Sequence, residues 1–563
     1  MSRLVLGFNA HIHDTAAAIL VDGRLAAFAE EERFRRQKHT TAFPEHAIAW
    51  CLREVGATIN DLTGVGFYWK PWLGLGRRIG QTLAGLPGTL RNVRRMQAGN
   101  LGRMFTVRRD FERRYGYRGM FAHVNHYLAH AYHAAFESGF DRSLVLIADG
   151  NGEIATTLAA LHEGETITPL RWTYYPHSLG LLWCTATEFL GYRQNSDEGK
   201  VMGLAPYGDD ALVPAMRQVV RHQRGRVRLD MGFFDYHLAR ERWFSDRWVR
   251  VFGPPRAADE PLNDRHRAVA RAVQEVTEEI LLEMLDELLG ARRLRHLAMA
   301  GGVALNCVAN GRIAASGLVD DLYIPPAAYD AGAAVGAAMW LDRELLGARG
   351  GDVRPGPFTG PGFDDAAYER ALCEAGLSYR RVANIETVAA QRLAAGKIVG
   401  WFQGRMESGP RALGHRSILA DPRDPSMKDH LNSRVKHREP YRPFGPSVLA
   451  ERAAEIFETD GRLSPFMLTA VMVQPTWRER IPAVVHVDGS SRLQTVDAGA
   501  QPRYHRLIAE FDRLTGVPVL LNTSFNVMGE PIVCTPRDAI ACFRGTGIDV
   551  LVLGDFLVDK EAK

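Results

Sequence analysis

His126 and His130 stand four residues apart in the stretch HVNHYLAHAYHAAF, which runs from His123 to Phe136 and holds four of the chain's 19 histidines. On a helix that spacing stacks two imidazoles on one face, one turn apart. Two such rings chelate a metal ion, or they are an ordinary wet helix face. His123 and His133 flank the same stripe. A zinc-protease pattern needs a glutamate directly after the first histidine to act as base. Tyr127 occupies that place, so that chemistry is excluded and further ligands must come from elsewhere in the chain.

A second concentration of chemistry lies between Arg405 and Arg442, where many lysines and arginines alternate with glycine and proline. Basic side chains among rigid turns make a phosphate pocket, because arginine forks match phosphoryl oxygens bidentately; a solvated basic loop is the alternative. Asn522, Thr523, Ser524 and Asn526 follow the apolar run VPVLLN and offer neutral hydrogen-bonding groups for a small polar ligand. Gly301-Gly302, in RHLAMAGGVALNCVANGRIA, lets backbone approach a ligand, and the helix start behind it suits a phosphate or ribose. Asp330 stands at a strand-to-helix junction, where α/β ligand sites gather and where an isolated aspartate also serves as a helix cap.

The elements that must carry these residues show a repeat. LVLGFN, the polar loop HIHD, AAAILV, the turn signal Asp22-Gly23 and RLAAFAEEE read as strand, loop, strand, turn, strand. SLVLIADG, NGEIATTLAAL, HEGE and TITPLRW repeat that order from residue 143. A doubled βββ unit, each copy followed by helices, is the order of an actin-like fold with a nucleotide between its halves. The Gly- and Pro-rich stretch 346–362 is the linker candidate, placing a first domain over 1–355 and a second over 363–563.

Composition narrows the setting. The chain has 563 residues, 46% hydrophobic and 24% charged, which suits two to four soluble globular domains. A net charge of +4 does not call for nucleic acid. Six scattered cysteines without a CxxC pair exclude a thiolate zinc site and fit a reducing cytoplasm. The first strand begins with no signal peptide ahead of it, and no apolar run reaches the roughly 20 residues of a membrane span. Residues 76–114 alternate arginine pairs with apolar residues at helical spacing. They read as solvated helices with an arginine face, or as a contact for an anionic partner or membrane surface.

HDTAAAILVDG, EEERFRRQKH, NHYLAHAYHAAF, EGKVMGLAPYG, AGGVALNCVAN, YDAGAAVGAA, ESGPRALGHRSILADPR, REPYRPFGPSVL and LNTSFN followed by GEPIV occur in this order along nearly the whole chain. Together they resemble the O-carbamoyltransferases of the tobramycin and nodulation-factor type. That resemblance implies an α/β protein with a duplicated N-terminal domain of the actin-like ASKHA class and a C-terminal YrdC-like domain. It implies that carbamoyl phosphate and ATP give carbamoyl adenylate, whose carbamoyl group passes to a hydroxyl of a small-molecule acceptor.

The resemblance also assigns residues. His126, His130, Asp149 and Asp330 match the metal ligands, with Fe(II) first and Zn or Mn also suited to two imidazoles and two carboxylates; Mg accompanies ATP. His13 matches the base that takes the proton from the acceptor hydroxyl, a task an imidazole near neutrality suits. Lys38, Gly203, Gly302 and Asn306 match groups around the nucleotide. Arg411, Lys436 and Arg442 match those that bind carbamoyl phosphate and the phosphates of ATP, with Arg492, Ser524 and Asn526 completing that site. One departure stands out: many relatives carry a basic residue where this chain has Met528.

A tRNA threonylcarbamoyladenosine enzyme shares both domain types and is the competing reading. The ordered motifs GPRALGHRSILADPR and REPYRPFGPS favour a small-molecule enzyme. Hydrogenase-maturation relatives usually carry CxxC zinc fingers, which are not visible here. An actin-like ATPase or sugar kinase would need an Asp-Gly-Thr-type phosphate loop that HIHDTAAA does not supply. The acceptor's identity and the oligomeric state are not written in these motifs. Segments 70–120 and 225–265 are the expected carriers of acceptor specificity, since loops vary on a fixed scaffold.

Overall fold

The protein is described here as a computed structural model covering residues 2–84, 86, 89, 100–238, 241–350 and 356–560. It divides into two compact units, Met1–Glu31 with His39–Pro355, and Glu32–Lys38 with Gly356–Lys563.

The first unit is built on two five-stranded sheets of the same design. One contains β1 (Leu4–Asn9), β2 (Ala16–Val21), β3 (Arg24–Glu30), β4 (Gly64–Phe67) and β5 (Met120–His123) in the order β3-β2-β1-β4-β5. Strands β1, β2 and β3 form an antiparallel meander, whereas β4 and β5 add in parallel. The other contains β6 (Arg142–Ala148), β7 (Ala155–Glu163) and β8 (Thr166–Tyr174), then, beyond the hairpin β9 (Val220–His222) and β10 (Val227–Leu229), β11 (His296–Ala300) and β12 (Asp321–Tyr323). Its order is β8-β7-β6-β11-β12, with the same antiparallel meander and the same two parallel additions. Shared order and shared strand sense establish the duplicated actin-like architecture that the repeated βββ pattern pointed to. The third expected strand is shorter than RLAAFAEEE: it ends at Glu30, and Glu31–Arg35 turns into a helix.

Three helices position the site: α1 (His126–Ser138), α2 (Cys307–Ala315) and α3 (Ala333–Trp340). The small residues of α3 let it lie directly on the first sheet. A Cβ at Gly7 would stand 2.0 Å from the Ala334 carbonyl oxygen, and one at Gly66 would stand 2.6 Å from that of Ala337. Gly336 meets Ala129 of α1 in the same way. This stripe of Ala and Gly is therefore a packing surface, and it brings Asp330, just ahead of α3, up to the histidines of α1.

The second unit wraps helices around one nine-stranded mixed sheet. Its strands are β13 (Arg380–Arg381), β14 (Val399–Phe402), β15 (Arg416–Ala420), β16 (Gly445–Leu449), β17 (Thr469–Met472), β18 (Ser490–Val496), β19 (Val519–Ser524), β20 (Val550–Leu553) and β21 (Phe556–Asp559). This is the α/β class expected for it. It starts earlier than residue 363: Pro357 accepts the Ser408 N–H at 2.7 Å and Phe358 stacks on His415 at 3.6 Å. It also takes in Glu32–Lys38, a segment with no motif or composition change to separate it from its neighbours. Arg33 donates to the Gly409 carbonyl at 2.7 Å, and Arg36 donates to those of Ile532 and Pro531 at 2.6 and 2.8 Å.

In the basic stretch 76–114, helices cover Leu75–Ala84 and Asn100–Tyr115. Arg108, Arg113 and Arg114 pair with Glu112, Asp110 and Glu45. Residues 85, 87–88 and 90–99, part of the arginine face expected there, lie outside the described residues, as do 351–355 of the expected linker. Among the described residues no helix is long and apolar enough to cross a membrane.

Candidate functional site

The first cluster grows from the start of α1. Asn125 caps that helix, its side chain accepting the Leu128 N–H at 3.0 Å. Buried Glu153 takes up the next donors around that start. One of its oxygens accepts the N–H groups of Lys70 and His126 at 2.9 and 3.0 Å, and the other accepts the Asn125 amide at 2.9 Å. A carboxylate at a helix start satisfies orphan donors and favours the positive end of the dipole.

From this fixed start, His126 and His130 reach two carboxylates that arrive from other elements. His126 Nε2 lies 3.1 Å from Asp149 Oδ2 and 3.8 Å from Asp330 Oδ1; His130 Nε2 lies 3.7 Å from each of the same oxygens. Donor atoms each about 2.0–2.2 Å from a shared ion stand roughly 3–3.5 Å apart; the 3.1 Å pair falls in that range and the pairs at 3.7 and 3.8 Å are slightly wider, so a small contraction would bring all four onto one ion. The donor set contains no thiolate and suits Fe(II), Mn(II) or Zn(II). The interior supplies a second sign. Nε2 of His130, which faces both carboxylates, is buried without a hydrogen-bond partner among the described residues, an arrangement that costs free energy unless something occupies it.

Asp149 is aimed by backbone. Its Oδ1 accepts the N–H groups of Gly150 and Gly302 at 2.8 and 3.0 Å, leaving Oδ2 for the histidines. A Cβ at Gly302 would sit 3.1 Å from that Oδ1, so glycine permits the approach. Burial opposes charge on Asp149, but His126 and His130 overcome it and hold the carboxyl well below the usual range. Burial likewise disfavours charged His126, yet Asp330 and Asp149 win and raise it; at His130 burial prevails and the ring is lowered. Asp330 opens a short turn, Asp330–Gly332, in which Tyr329 holds the cap position and no side-chain cap bond forms. The capping role open to Asp330 in the sequence is thereby excluded.

His13 lies in the loop between β1 and β2. Asp14, buried beside it, is held from both sides: its Oδ2 lies 2.8 Å from His13 Nδ1 and its Oδ1 lies 2.7 Å from His39 Nδ1. Burial works against a charged His13, but Asp330, Asp14 and Asp149 outweigh it and push the ring up to about 10. Without a cation on the carboxylates, His13 is an imidazolium.

His123 and His133 do not join the cluster. His123 bonds the Trp69 carbonyl at 2.9 Å, and His133 pairs with Glu137 at 3.2 Å inside the fold. Gly203 is buried in the helix Glu198–Leu204. Asn306 caps α2 through the Ala309 N–H and exchanges two bonds with Gln274. The helix start that suited a phosphate thus already has a partner in its own cap. Lys38, grouped with these residues by sequence, belongs to the second unit.

The second cluster centres on Lys436. Its ammonium is buried and bonds Asn526 Oδ1 at 2.8 Å, the Asn526 carbonyl at 2.9 Å, Ser524 Oγ at 3.3 Å and the Ser524 carbonyl. Burial, then Arg438, Arg442 and Lys38, hold its pKa well below the ordinary lysine value. Arg438 is similarly depressed, by burial and then by Arg442, Arg492 and Arg411. Lys436, Ser524, Asn526, Arg411, Arg442, Arg492 and Lys38 therefore share one positive neighbourhood, and Arg438 joins them without having been singled out. Met528 is 56% exposed. Asn522 has a different part. Its amide holds the Ala412 carbonyl at 3.1 Å and Gln494 at 2.9 Å, fixing the loop that carries Arg411. Arg416 is also structural, fully buried over the Phe402 ring at 3.6 Å.

The two units correspond to two family matches. Residues 4–339 match the model described as carbamoyltransferase N-terminus, and residues 390–560 match the carbamoyltransferase C-terminus. The chain is 38% identical to nodulation protein NolNO of Sinorhizobium fredii, over 98% of this chain and 80% of that one. It is 42% identical to nodulation protein NolO of Bradyrhizobium diazoefficiens, over 78% and 79% of the two chains. An uncharacterized Synechocystis protein is 38% identical over 99% of this chain and 97% of its own. Among solved structures, T. kodakarensis HypF aligns with a TM-score of 0.35 at 12% identity, over 63% of this chain and 49% of that one.

Proposed function

We propose, from the premise that this chain belongs to the carbamoyltransferase family, that it is an ATP-dependent O-carbamoyltransferase acting on a small-molecule hydroxyl. In the second unit, water takes the phosphoryl group of carbamoyl phosphate to give phosphate and carbamate, and the carbamate oxygen then bonds to the α-phosphorus of ATP as pyrophosphate departs, leaving carbamoyl adenylate. In the first unit, the acceptor oxygen forms a bond to the carbamoyl carbon, its proton leaves to a base, and AMP departs.

The observation that carries this reading is the cluster of His126, His130, Asp149 and Asp330, with Nε2 of His130 buried and unpartnered among the described residues. These four residues would hold a dication, with iron first among the fitting metals. Bound there, the dication supplies a Lewis acid and a template for a phosphate oxygen. With Asp149 and Asp330 offset by such a charge, His13 would lose two of the carboxylates that keep it protonated and could accept a proton near neutrality. Asp14 then orients His13 and stabilises the imidazolium that forms. In the second unit, Lys436, Arg438, Arg442, Arg411 and Arg492 receive the phosphates, and the anionic charge relieves their mutual repulsion.

The test is incubation of the pure full-length protein with ATP, carbamoyl phosphate and a panel of hydroxylated metabolites, read by mass spectrometry. A carbamoyl gain on an acceptor that requires both co-substrates is expected. Pyrophosphate release that never responds to carbamoyl phosphate would refute the activation step.

A further inference from the structure

The first unit carries an open cavity of about 490 Å³. One wall is Trp172–His177, the end of β8 and the turn beyond it. That wall is fastened to the loop bearing Asp149. Ser178 donates to the carbonyls of Asp149 and Gly150 at 2.9 and 2.7 Å, and Tyr175 donates to that of Ile154 at 3.0 Å. One wall of the cavity is therefore anchored to the loop of a candidate metal ligand.

The remaining walls are basic. Arg224, Arg226 and Arg228 come from the β9–β10 hairpin, and Arg77 comes from the helix Leu75–Ala84. Alternation along β10 buries Val227 and Leu229 and leaves Arg226 and Arg228 on the exposed face. Arg224 and Gly225 form the hairpin turn with φ of 51° and 67°, a place where Asn-Gly is the favoured pair and a long side chain is unusual. The Arg77 guanidinium lies over the Tyr174 ring at 4.4 Å, and Arg226 donates to the Trp172 carbonyl at 3.1 Å. Among the described residues none of the four meets a carboxylate. Other exposed arginines of this unit do, as Arg217 with Glu279 and Arg295 with Asp320 show. His177 reports the field: burial, then Arg228 and Arg77, lower it to about 4, and its Nδ1 accepts the Leu229 N–H at 3.3 Å.

We infer that this cavity is the acceptor subsite and that the acceptor is an anionic alcohol, a hydroxylated small molecule bearing a phosphate or sulfate group. Guanidinium forks match tetrahedral oxyanions, and the indole of Trp172 suits a sugar or other ring. Both segments expected to carry specificity contribute, 70–120 through Arg77 and 225–265 through Arg226 and Arg228. The role as acceptor site rests on the proposed carbamoyl transfer; the anion selectivity does not.

Hydrogen–deuterium exchange on the full-length protein tests it locally, in peptides spanning 220–229, with glucose, glucose 6-phosphate and glucose 6-sulfate as probes. At least one oxyanion sugar is expected to slow exchange in that hairpin threefold or more, with glucose without effect. The stronger of the two identifies phosphate or sulfate as the group read. The double variant Arg226→Ala/Arg228→Ala should lose the protection, and Arg226→Lys/Arg228→Lys, which keeps the charge, should retain part of it. Equal effects of all three sugars, protection that survives the alanine double variant, or protection by a short RNA alone would overturn the inference. Pyrophosphate release that ignores carbamoyl phosphate would instead refute the proposed reaction and leave the exchange result standing.

Discussion

Glu153 accepts the backbone N–H of His126 at 3.0 Å while its other oxygen holds Asn125, so one buried carboxylate fixes both the cap and the first histidine of α1. It holds the backbone of the first histidine, not a ligand atom of the cluster, and so sets where the imidazoles point. Groups that orient metal ligands typically contribute about 10–100-fold in metal affinity. Glu153→Gln should therefore weaken metal binding by about that factor, measured by competition with a chromophoric chelator, while His126 and His130 remain in place. Unchanged affinity would mean the helix start holds itself.

The four-ligand cluster makes a sharper demand. His130→Ala removes one of the four donors and should strip most of the metal from the purified protein while circular dichroism stays native. Elemental analysis showing full occupancy in that variant would remove His130 from the ligand set.

His13 gives a pH signature. In the metal-free protein its ring titrates at about 10, above the ordinary 6.5. Protonation of His13 thus favours the fold, a contribution complete below pH 6.5 and lost as pH rises to about 10. The gap in melting temperature between wild type and His13→Gln should narrow across that window. A flat gap would mean the carboxylates do not hold the ring charged. Metal loading should move the ring's NMR titration downward, as a base near neutrality requires. The same His13→Gln protein should make carbamoyl adenylate yet fail to transfer it.

What the sequence revealed follows the range of the interactions involved. The βββ repeat was legible because hairpin turns such as Asp22-Gly23 and apolar strands are local signals. The i, i+4 pair His126 and His130 was legible for the same reason. Asp149 and Asp330 came only with the family resemblance, because strand ends that meet in space carry no common spacing. Glu153, Asp14 and His39 went unnoticed, since their partners are chosen by the loops around β1, β4 and β6. Arg438 was hidden among eight other basic residues of one loop-rich stretch, from Arg405 to Arg442. Asn522 and Asn306 had the right chemistry for a ligand, but the fold spends their amides on the Arg411 loop and on α2. The reassignment of Glu32–Lys38 was invisible because the chain is continuous there and only long-range bonds from Arg33 and Arg36 reveal it.

The central claim is that activation belongs to the second unit and transfer to the first. Arg442→Ala in the full-length protein tests it most directly, assayed twice, once with ATP and carbamoyl phosphate and once with synthetic carbamoyl adenylate. Loss of one charge-assisted bond to phosphate, worth about 1.5–3 kcal/mol, should reduce the first reaction at least tenfold and leave the second near the wild-type rate. Equal loss of both, with the fold shown intact, would contradict the division of the two half-reactions between the units.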